Sequence, residues 1–298
     1  MGNPSPSGGL AVALTQYPEC ALPCITASLL VTKCDLADTP CLCADKHLMD
    51  VVTSCVLQKC AITESLLTKN ITNTACNMPI RDRTAQYITT SNTLGIITGI
   101  FVMQRIAYKV WAGLDFGWDD FFCLFTTVSG IPITVINAHW LPQNGLGRDI
   151  WTLKPEQITE FGLCFYIIEA LYFLLVGTLK LSLLFFYTRV FPSNGVRGLL
   201  WGTIGFVSTM TIIFLFLSIF QCTPIKFFWL KWDDAEAGYC MNTNALAWCN
   251  AVLSIATDIW MLAVPLWQLR TLQLDRKRKF GVGVMFSVGT LQVAFPIS

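Results

Sequence analysis

The chain has 298 residues, of which 54% are hydrophobic and only 13% charged, and its net charge is +1. Soluble domains carry about 25% charged residues, so the composition argues against an ordinary soluble protein. A nearly neutral chain also lacks the clustered basic face that a nucleic-acid partner requires. The sequence holds two histidines and no nucleophile elbow, phosphate loop or HExxH motif, so we expect neither an enzyme nor any catalytic residue.

The cysteines are crowded near the start of the chain. Eight of the thirteen lie between positions 20 and 76: Cys20, Cys24, Cys34, Cys41, Cys43, Cys55, Cys60 and Cys76. An even, closely spaced set predicts a disulfide framework, and disulfides persist in oxidising surroundings outside the cytosol. Residues 1–14 are expected to be a disordered N-terminus or the remnant of a signal, because their apolar run is short for a signal peptide and has no basic flank. Either the first membrane helix exports the N-terminus unaided, or the true start of the protein lies upstream, which is the reading we favour.

The spacing within this set resembles a known module. A Pro-x-Cys start at Pro18, a Cys-x-Cys core at Cys41 and a gap of fifteen residues before Cys76 are together similar to the fungal CFEM domain, an eight-cysteine extracellular module. The resemblance covers residues 15–80. It implies the pairs Cys20–Cys60, Cys24–Cys55, Cys34–Cys41 and Cys43–Cys76. The sequence by itself allows about 105 pairings.

The same resemblance implies a candidate haem site. Secreted CFEM domains bind haem through an Asp three residues before the Cys-x-Cys pair, and Asp38 stands at that position. The alternative is that Asp38 only caps or turns the loop beside Pro40, which Asp does well. His47 is a rival iron ligand. Asn70 opens the sequence Asn-Ile-Thr, which predicts N-glycosylation in an outward-facing region.

Beyond residue 84, apolar runs alternate with short polar gaps. A helix needs about 20 mostly apolar residues to cross a bilayer. Six runs approach this length and predict a mainly α, multi-span bundle over residues 85–298: residues 85–108, 120–139, 161–187, 199–220, 245–267 and 280–295. With the cysteines outside, the inner loops hold nine Lys and Arg residues and the outer loops four, which agrees with the positive-inside rule.

Ordered motifs through these spans resemble the fungal rhodopsin-like, seven-helix membrane family. They include Asp119-Asp120, the segment from Gly145 to Trp151, and the sequence Gln-Cys-Thr-Pro from Gln221. The family has seven helices, so the resemblance implies that a seventh helix is missing and that the domain is truncated at its C-terminus. Family members fused to CFEM are receptor-like proteins of filamentous fungi.

Polar residues inside the spans are candidate functional sites, because charges in a bilayer are costly. Glu169 and Lys180 lie eleven residues apart in the third span and share a helix face. Asp258, in the fifth span, could pair with Lys180. Arg189 ends the third span like the Arg of G-protein-coupled receptors, but their acidic neighbour in sequence is missing. Outside the spans, we predict a disulfide between Cys222 and Cys240, with Cys164 as the rival partner of Cys240.

These features predict a receptor-like protein of the fungal plasma membrane that senses extracellular or host-surface cues through an outward cysteine-rich module. Its expected partners are the lipid bilayer, an unknown extracellular ligand, and a G protein or other cytoplasmic effector. Two alternatives remain open at this point: a membrane-anchored haem or iron capture protein that uses Asp38, and a surface adhesin.

Overall fold

The computed structural model describes residues 14–30, 32, 34–35, 38–191, 194–233 and 237–271. The described chain is mainly α-helical and divides into two compact units. The first unit holds the cysteine module (residues 15–80), the start of the first long helix, residues 134–168 and residues 222–239. The second holds residues 97–133, 169–221 and the described residues from 240 onward. The predicted span 280–295 and residues 276–279, which hold four of the nine inner-loop Lys and Arg residues, lie outside the described residues.

The cysteine module is built from four short helices. After a 3-10 turn at Leu14–Gln16, they are α1 (Leu22–Leu29), α2 (Thr39–Ala44), α3 (Lys46–Lys59) and α4 (Ile62–Ala75). Disulfides join Cys20 to Cys60, Cys24 to Cys55, Cys34 to Cys41 and Cys43 to Cys76. These are the four pairs that the resemblance implies. The first two tie α1 and the residues before it to the end of α3, around a small core of Tyr17, Ala21, Cys24, Ile25 and Val56.

Local sequence signals set where these helices begin. Pro23 and Pro40 stand in the first turns of α1 and α2, where a missing N–H costs nothing. The Asp45 carboxylate accepts a hydrogen bond from the Leu48 amide at 3.1 Å and so caps α3. At α4 the Glu64 side chain accepts from the Ala61 amide at 3.2 Å. So small a module depends on such caps and on its disulfides, because its apolar core is small.

The long helices follow the module. They are α5 (Thr84–Trp111), α6 (Trp118–Val135), α8 (Pro155–Val190), α9 (Asn194–Ile219) and α11 (Thr243–Thr271). A π-helical turn, Ile136–Trp140, and the short α7 (Leu141–Gln143) extend α6. A 3-10 turn at Ile150–Thr152, the short α10 (Phe227–Leu230) and two paired two-residue strands, β1 (Cys222–Thr223) and β2 (Tyr239–Cys240), complete the described elements.

Four helices are long and apolar enough to cross a membrane: Trp118–Gln143, Pro155–Val190, Gly195–Ile219 and Thr243–Trp267. They match the second to fifth predicted spans. The first predicted span, residues 85–108, is helical but does not join this group, because residues 89–93 are a run of hydroxyl and amide side chains. The hydroxyls of Thr89, Thr90 and Thr93 donate to backbone carbonyls four residues earlier, which satisfies them inside the helix.

The core of the second unit lies where α8, α9 and α11 meet. Its buried members are Leu181, Leu184, Phe191, Val196, Leu200, Ile204, Val207, Met261 and Val264. Gly177 on α8 makes a close approach possible, since a Cβ there would come within 2.2 Å of the Thr211 side chain on α9. Many large apolar side chains on these helices, such as Trp201, Phe216 and Trp248, face outward, as expected for contact with lipid.

The Asp45 cap predicts that the cysteine module loses stability in acid. Hydrogen bonds from the Leu48 amide and then from the Thr32 hydroxyl lower the pKa of Asp45 below its ordinary 3.8. The folded module therefore favours the carboxylate, so this stability is present above pH 3.8 and is lost as the pH falls through the lowered pKa. Hydrogen exchange of the α3 amides in the full chain should show this loss of protection. Asp45→Asn, which can still cap, should reduce the acid dependence; an unchanged dependence would contradict the assignment.

Candidate functional site

Lys180 and Asp258 form an ion pair inside two candidate membrane spans. Lys180 on α8 is 7% exposed, and its Nζ lies 3.0 Å from an Asp258 oxygen on α11. The same Nζ donates to the Ser254 hydroxyl at 2.8 Å and to the Ser254 carbonyl at 2.9 Å. An ammonium group has three N–H donors, and these three acceptors use all of them. The predicted pairing is therefore present, and it is completed by Ser254, which the sequence did not indicate.

A small cavity of about 50 Å³ lies beside this pair. Its polar lining includes Lys180, Asn250, Ser254 and Thr257. Pockets for small organic ligands occupy about 300–1,000 Å³, whereas a single water needs far less. The space fits a water molecule and is too small for an organic ligand.

Glu169, the other predicted intramembrane charge, contacts a different partner. Its Oε2 accepts a hydrogen bond of 3.0 Å from Nε2 of Gln221, just beyond the end of α9. Gln221 is 1% exposed, and its backbone carbonyl accepts from the Met241 amide at 2.8 Å. Glu169 and Lys180, although on one helix, thus belong to separate polar contacts.

A charged cluster lies where α5, α6 and α8 meet, and we call it the acidic-pair cluster. Its centre is Asp119 and Asp120 at the start of α6, each 3% exposed. Arg105 lies 2.6 Å from Asp119 and 3.1 Å from Asp120, and Lys109 contacts both carboxylates. Arg189 reaches Asp119 at 3.7 Å. Two buried carboxylates are thus neutralised by three cations from two other helices.

The cluster supplies the acidic neighbour that Arg189 lacks in the sequence. That neighbour is Asp119, seventy residues earlier in the chain, and the Asp115 carbonyl also accepts from Arg189 at 3.1 Å. The absence of an acidic residue beside Arg189 was therefore misleading, because the partner comes from another helix. The spacing of Arg105 and Lys109, which places both cations on one face of α5 close before two adjacent acids, is a sequence signal for the rest of the cluster but not for the Arg189 contact.

The cysteine module is fastened to residues 145–152, which we call the clamp loop. The linker after α4 runs along this loop: the Arg83 amide donates to the Gly147 carbonyl at 3.0 Å, and the Thr84 hydroxyl donates to the Leu146 carbonyl at 2.6 Å. The ion pairs Arg81–Asp149 at 3.4 Å and Asp82–Arg148 at 3.3 Å flank these bonds. The clamp loop and linker thus form an antiparallel contact held by backbone bonds and charge.

Gly147 permits this close contact. Its φ is +84°, and a Cβ there would lie 2.7 Å from the Thr84 nitrogen. Only glycine fits both the conformation and the space. Helix α4 packs on the same loop, and the Asn70 side-chain nitrogen donates to the Trp151 carbonyl at 2.7 Å. N-glycosylation would attach the glycan to this same nitrogen. Glycosylation of Asn70 stays a prediction, and it concerns a side chain that also contacts the clamp loop.

Asp38 lies at the start of α2. One of its carboxylate oxygens accepts from the Cys41 amide at 3.1 Å, which is the capping role considered from the sequence. The residue is exposed. His47, the rival ligand, is exposed in the first turn of α3. The geometry therefore shows the cap and leaves haem ligation by Asp38 as a prediction.

The remaining predicted bond concerns Cys222 and Cys240. Both are disulfide-bonded, as a bond between them requires. Cys164, the rival partner, is a free and buried thiol. A geometric cluster of Cys20, Cys60 and Glu64 has metal-like spacing, but these two cysteines are joined in a disulfide and have no thiolate to offer a metal.

Long apolar helices with paired internal charges, together with a disulfide-stapled module, define a multi-span membrane protein with a cysteine-rich domain. The chain belongs to the fungal rhodopsin domain family, whose model matches residues 104–298. A CFEM domain model matches residues 13–77. Both resemblances noted in the sequence are confirmed.

Known relatives match part of the chain. The chain is 28% identical over 177 residues to a SAT4 family membrane protein of Emericella nidulans, covering 58% of this chain and 42% of that relative. It is 24% identical to the wortmanamides biosynthesis cluster protein C of Talaromyces wortmannii, covering 63% and 49%. It is 30% identical to the satratoxin biosynthesis SC1 cluster protein 4 of Stachybotrys chartarum, covering 37% and 41%. The chain thus spans less than half of each relative. No solved structure matches.

Breaking the Lys180–Asp258 pair should destabilise the protein strongly. Lys180→Met leaves a carboxylate without its cation, and loss of one partner of a buried pair costs about 3–5 kcal/mol. We expect the lower end of that range, because Asp258 is 32% exposed. Lys180→Met combined with Asp258→Leu should recover part of the loss, since no unpaired charge remains. Thermal unfolding in detergent measures both, and a double variant no more stable than the Lys180→Met variant would contradict the pairing.

Proposed function

We propose that this protein is a receptor-like protein of the plasma membrane, with the CFEM module outside the cell as its sensing part. The observation that supports this most is the clamp loop. A module that served only as an adhesive head would need no more than a flexible tether. Here the linker donates two hydrogen bonds to backbone carbonyls of the clamp loop and forms two ion pairs with it. The clamp loop itself lies between two candidate spans.

The position of the clamp loop in the chain supports a coupling role. It follows α6, which begins at Trp118 beside Asp119, and it precedes α8, whose last turn holds Arg189. A ligand that shifts the module would therefore act on the two helices whose far ends meet in the acidic-pair cluster. Coupling of this kind requires an element with two arrangements, and the long Arg189–Asp119 contact is the candidate for it. A cytoplasmic effector, such as a G protein, would respond at that end.

The clamp is tested by Gly147→Ala in the full chain. The added Cβ meets the linker backbone, so the Arg83 amide should lose its bond and exchange hydrogen faster. Gly113→Ala is the matched control, because Gly113 also has a positive φ, +61°, but its Cβ would have no neighbour within 4 Å. Equal exchange of the Arg83 amide in both variants would argue against a clamp.

The orientation of the cysteine module across the membrane can be tested in cells. An epitope in the cysteine module should react with a membrane-impermeant reagent on intact cells expressing the full chain. Reaction only after permeabilisation would place the module inside and remove the receptor proposal. If the module is outside but a single unrelated helix replaces the bundle without loss of function, the adhesin alternative gains support.

A second candidate function is haem or iron capture through Asp38. Its support is the exposure of Asp38, since a carboxylate that accepts an amide hydrogen bond at one oxygen can still offer the other to ferric iron. The haem would supply the iron, and the module would supply a hard oxygen ligand. A carboxylate is an unusual haem ligand, which makes the proposal specific.

Titration with ferric haem tests this alternative. Binding should shift the Soret band of haem, and Asp38→Asn should abolish the shift, because an amide can keep the helix cap but is a much poorer ligand for ferric iron. Asp50→Asn, a change at another exposed Asp of the module, should leave the shift intact. A shift that persists in Asp38→Asn would exclude Asp38 as the ligand.

A further inference from the structure

One polar atom in the second unit is buried without a partner. Oε1 of Gln221 has no hydrogen-bond partner among the described residues, and the side chain to which it belongs is 1% exposed. A buried acceptor left without a donor costs about 1–3 kcal/mol. Native structures pair nearly all such groups, so the missing donor calls for a specific explanation.

Glu169, which accepts from the nitrogen of the same amide, cannot be that donor while it is ionised. The Gln221 amide already donates from Nε2 to Oε2 of Glu169 at 3.0 Å. An ionised carboxylate only accepts hydrogen bonds, so it satisfies Nε2 and leaves Oε1 unpaired. A carboxylic acid differs in this respect, because its O–H is a donor. Protonation of Glu169 would therefore supply the one donor that the contact lacks.

We infer that Glu169 and Gln221 form a proton-holding site in which Glu169 is the neutral acid. In this site the Glu169 O–H donates to Gln221 Oε1, while Gln221 Nε2 donates to the other oxygen of Glu169. The two side chains then close a ring of two hydrogen bonds that leaves neither amide atom unpaired. The site joins α8 to the end of α9 without placing a charge in the apolar layer.

The charged groups around the site favour the neutral form. On α8 the nearest charged residues along the helix are Glu160 and Lys180, about 14 and 16 Å away at 1.5 Å per residue. The Lys180 ammonium pairs with Asp258 and donates to Ser254. The only charged residue in α9 is Arg197, near its far end. The Lys231 ammonium, in the loop after Gln221, lies over the Phe228 ring.

Lys226 lies in the same loop, and no ion pair among the described residues includes Glu169. An isolated carboxylate in an apolar layer costs several kcal/mol, whereas a hydrogen-bonded neutral acid avoids most of that cost. The orphan acceptor and the missing counter-charge are independent observations, and both point to the same proton.

Infrared spectroscopy of the full chain in lipid at neutral pH tests the site. A protonated carboxyl absorbs in a C=O region separate from that of carboxylates, and this band should be present. Glu169→Gln should remove it while keeping the ring, because the substituted amide both donates and accepts. Gln221→Leu should keep the acid but shift the band, since the hydrogen bond from Nε2 is lost. Asp258→Asn is the matched control and should leave the band unchanged.

A spectrum without a protonated carboxyl at neutral pH, or a band that survives Glu169→Gln, would overturn the inference.

Discussion

Charges within long apolar helices must be neutralised inside the protein, and the second unit is organised by this constraint. Water is absent from the hydrocarbon layer, so each ionised group needs a partner on a neighbouring helix. Lys180 finds Asp258 on α11, and Asp119 and Asp120 collect three cations from α5 and α8. These contacts fix which helices are neighbours more specifically than the apolar core does, because large apolar side chains can repack.

The cysteine module meets a different constraint. It is too small to fold on apolar burial alone, so disulfides and helix caps supply its stability. Its attachment through the linker and Gly147 then turns an otherwise independent domain into part of the first unit. A glycine required by both conformation and space is a sensitive point in such a contact, since any side chain there separates the linker from the loop.

The sequence predicted the parts of the structure that depend on spacing or composition. Eight spaced cysteines led to the module, and apolar length led to four of the spans that the structure describes. The Lys180–Asp258 pair followed from the rarity of charge in spans. The acidic-pair cluster and the clamp loop escaped prediction, because Arg189 meets Asp119 from seventy residues away and Gly147 meets Thr84 from sixty-three. Such contacts depend on how helices pack, which no local pattern records.

The three cations of the acidic-pair cluster contact its carboxylates at different distances, and this difference bears on the proposed signalling role. Two carboxylates face three cations, so one cation can leave without exposing an unpaired buried charge. Arg105 and Lys109 make the short contacts, whereas Arg189 lies at 3.7 Å and is 45% exposed. Its departure would cost little, because exposed pairs contribute about 0–1 kcal/mol. Arg189 is thus the member whose contact with Asp119 could break and re-form at a free-energy cost that ligand binding to the module can supply.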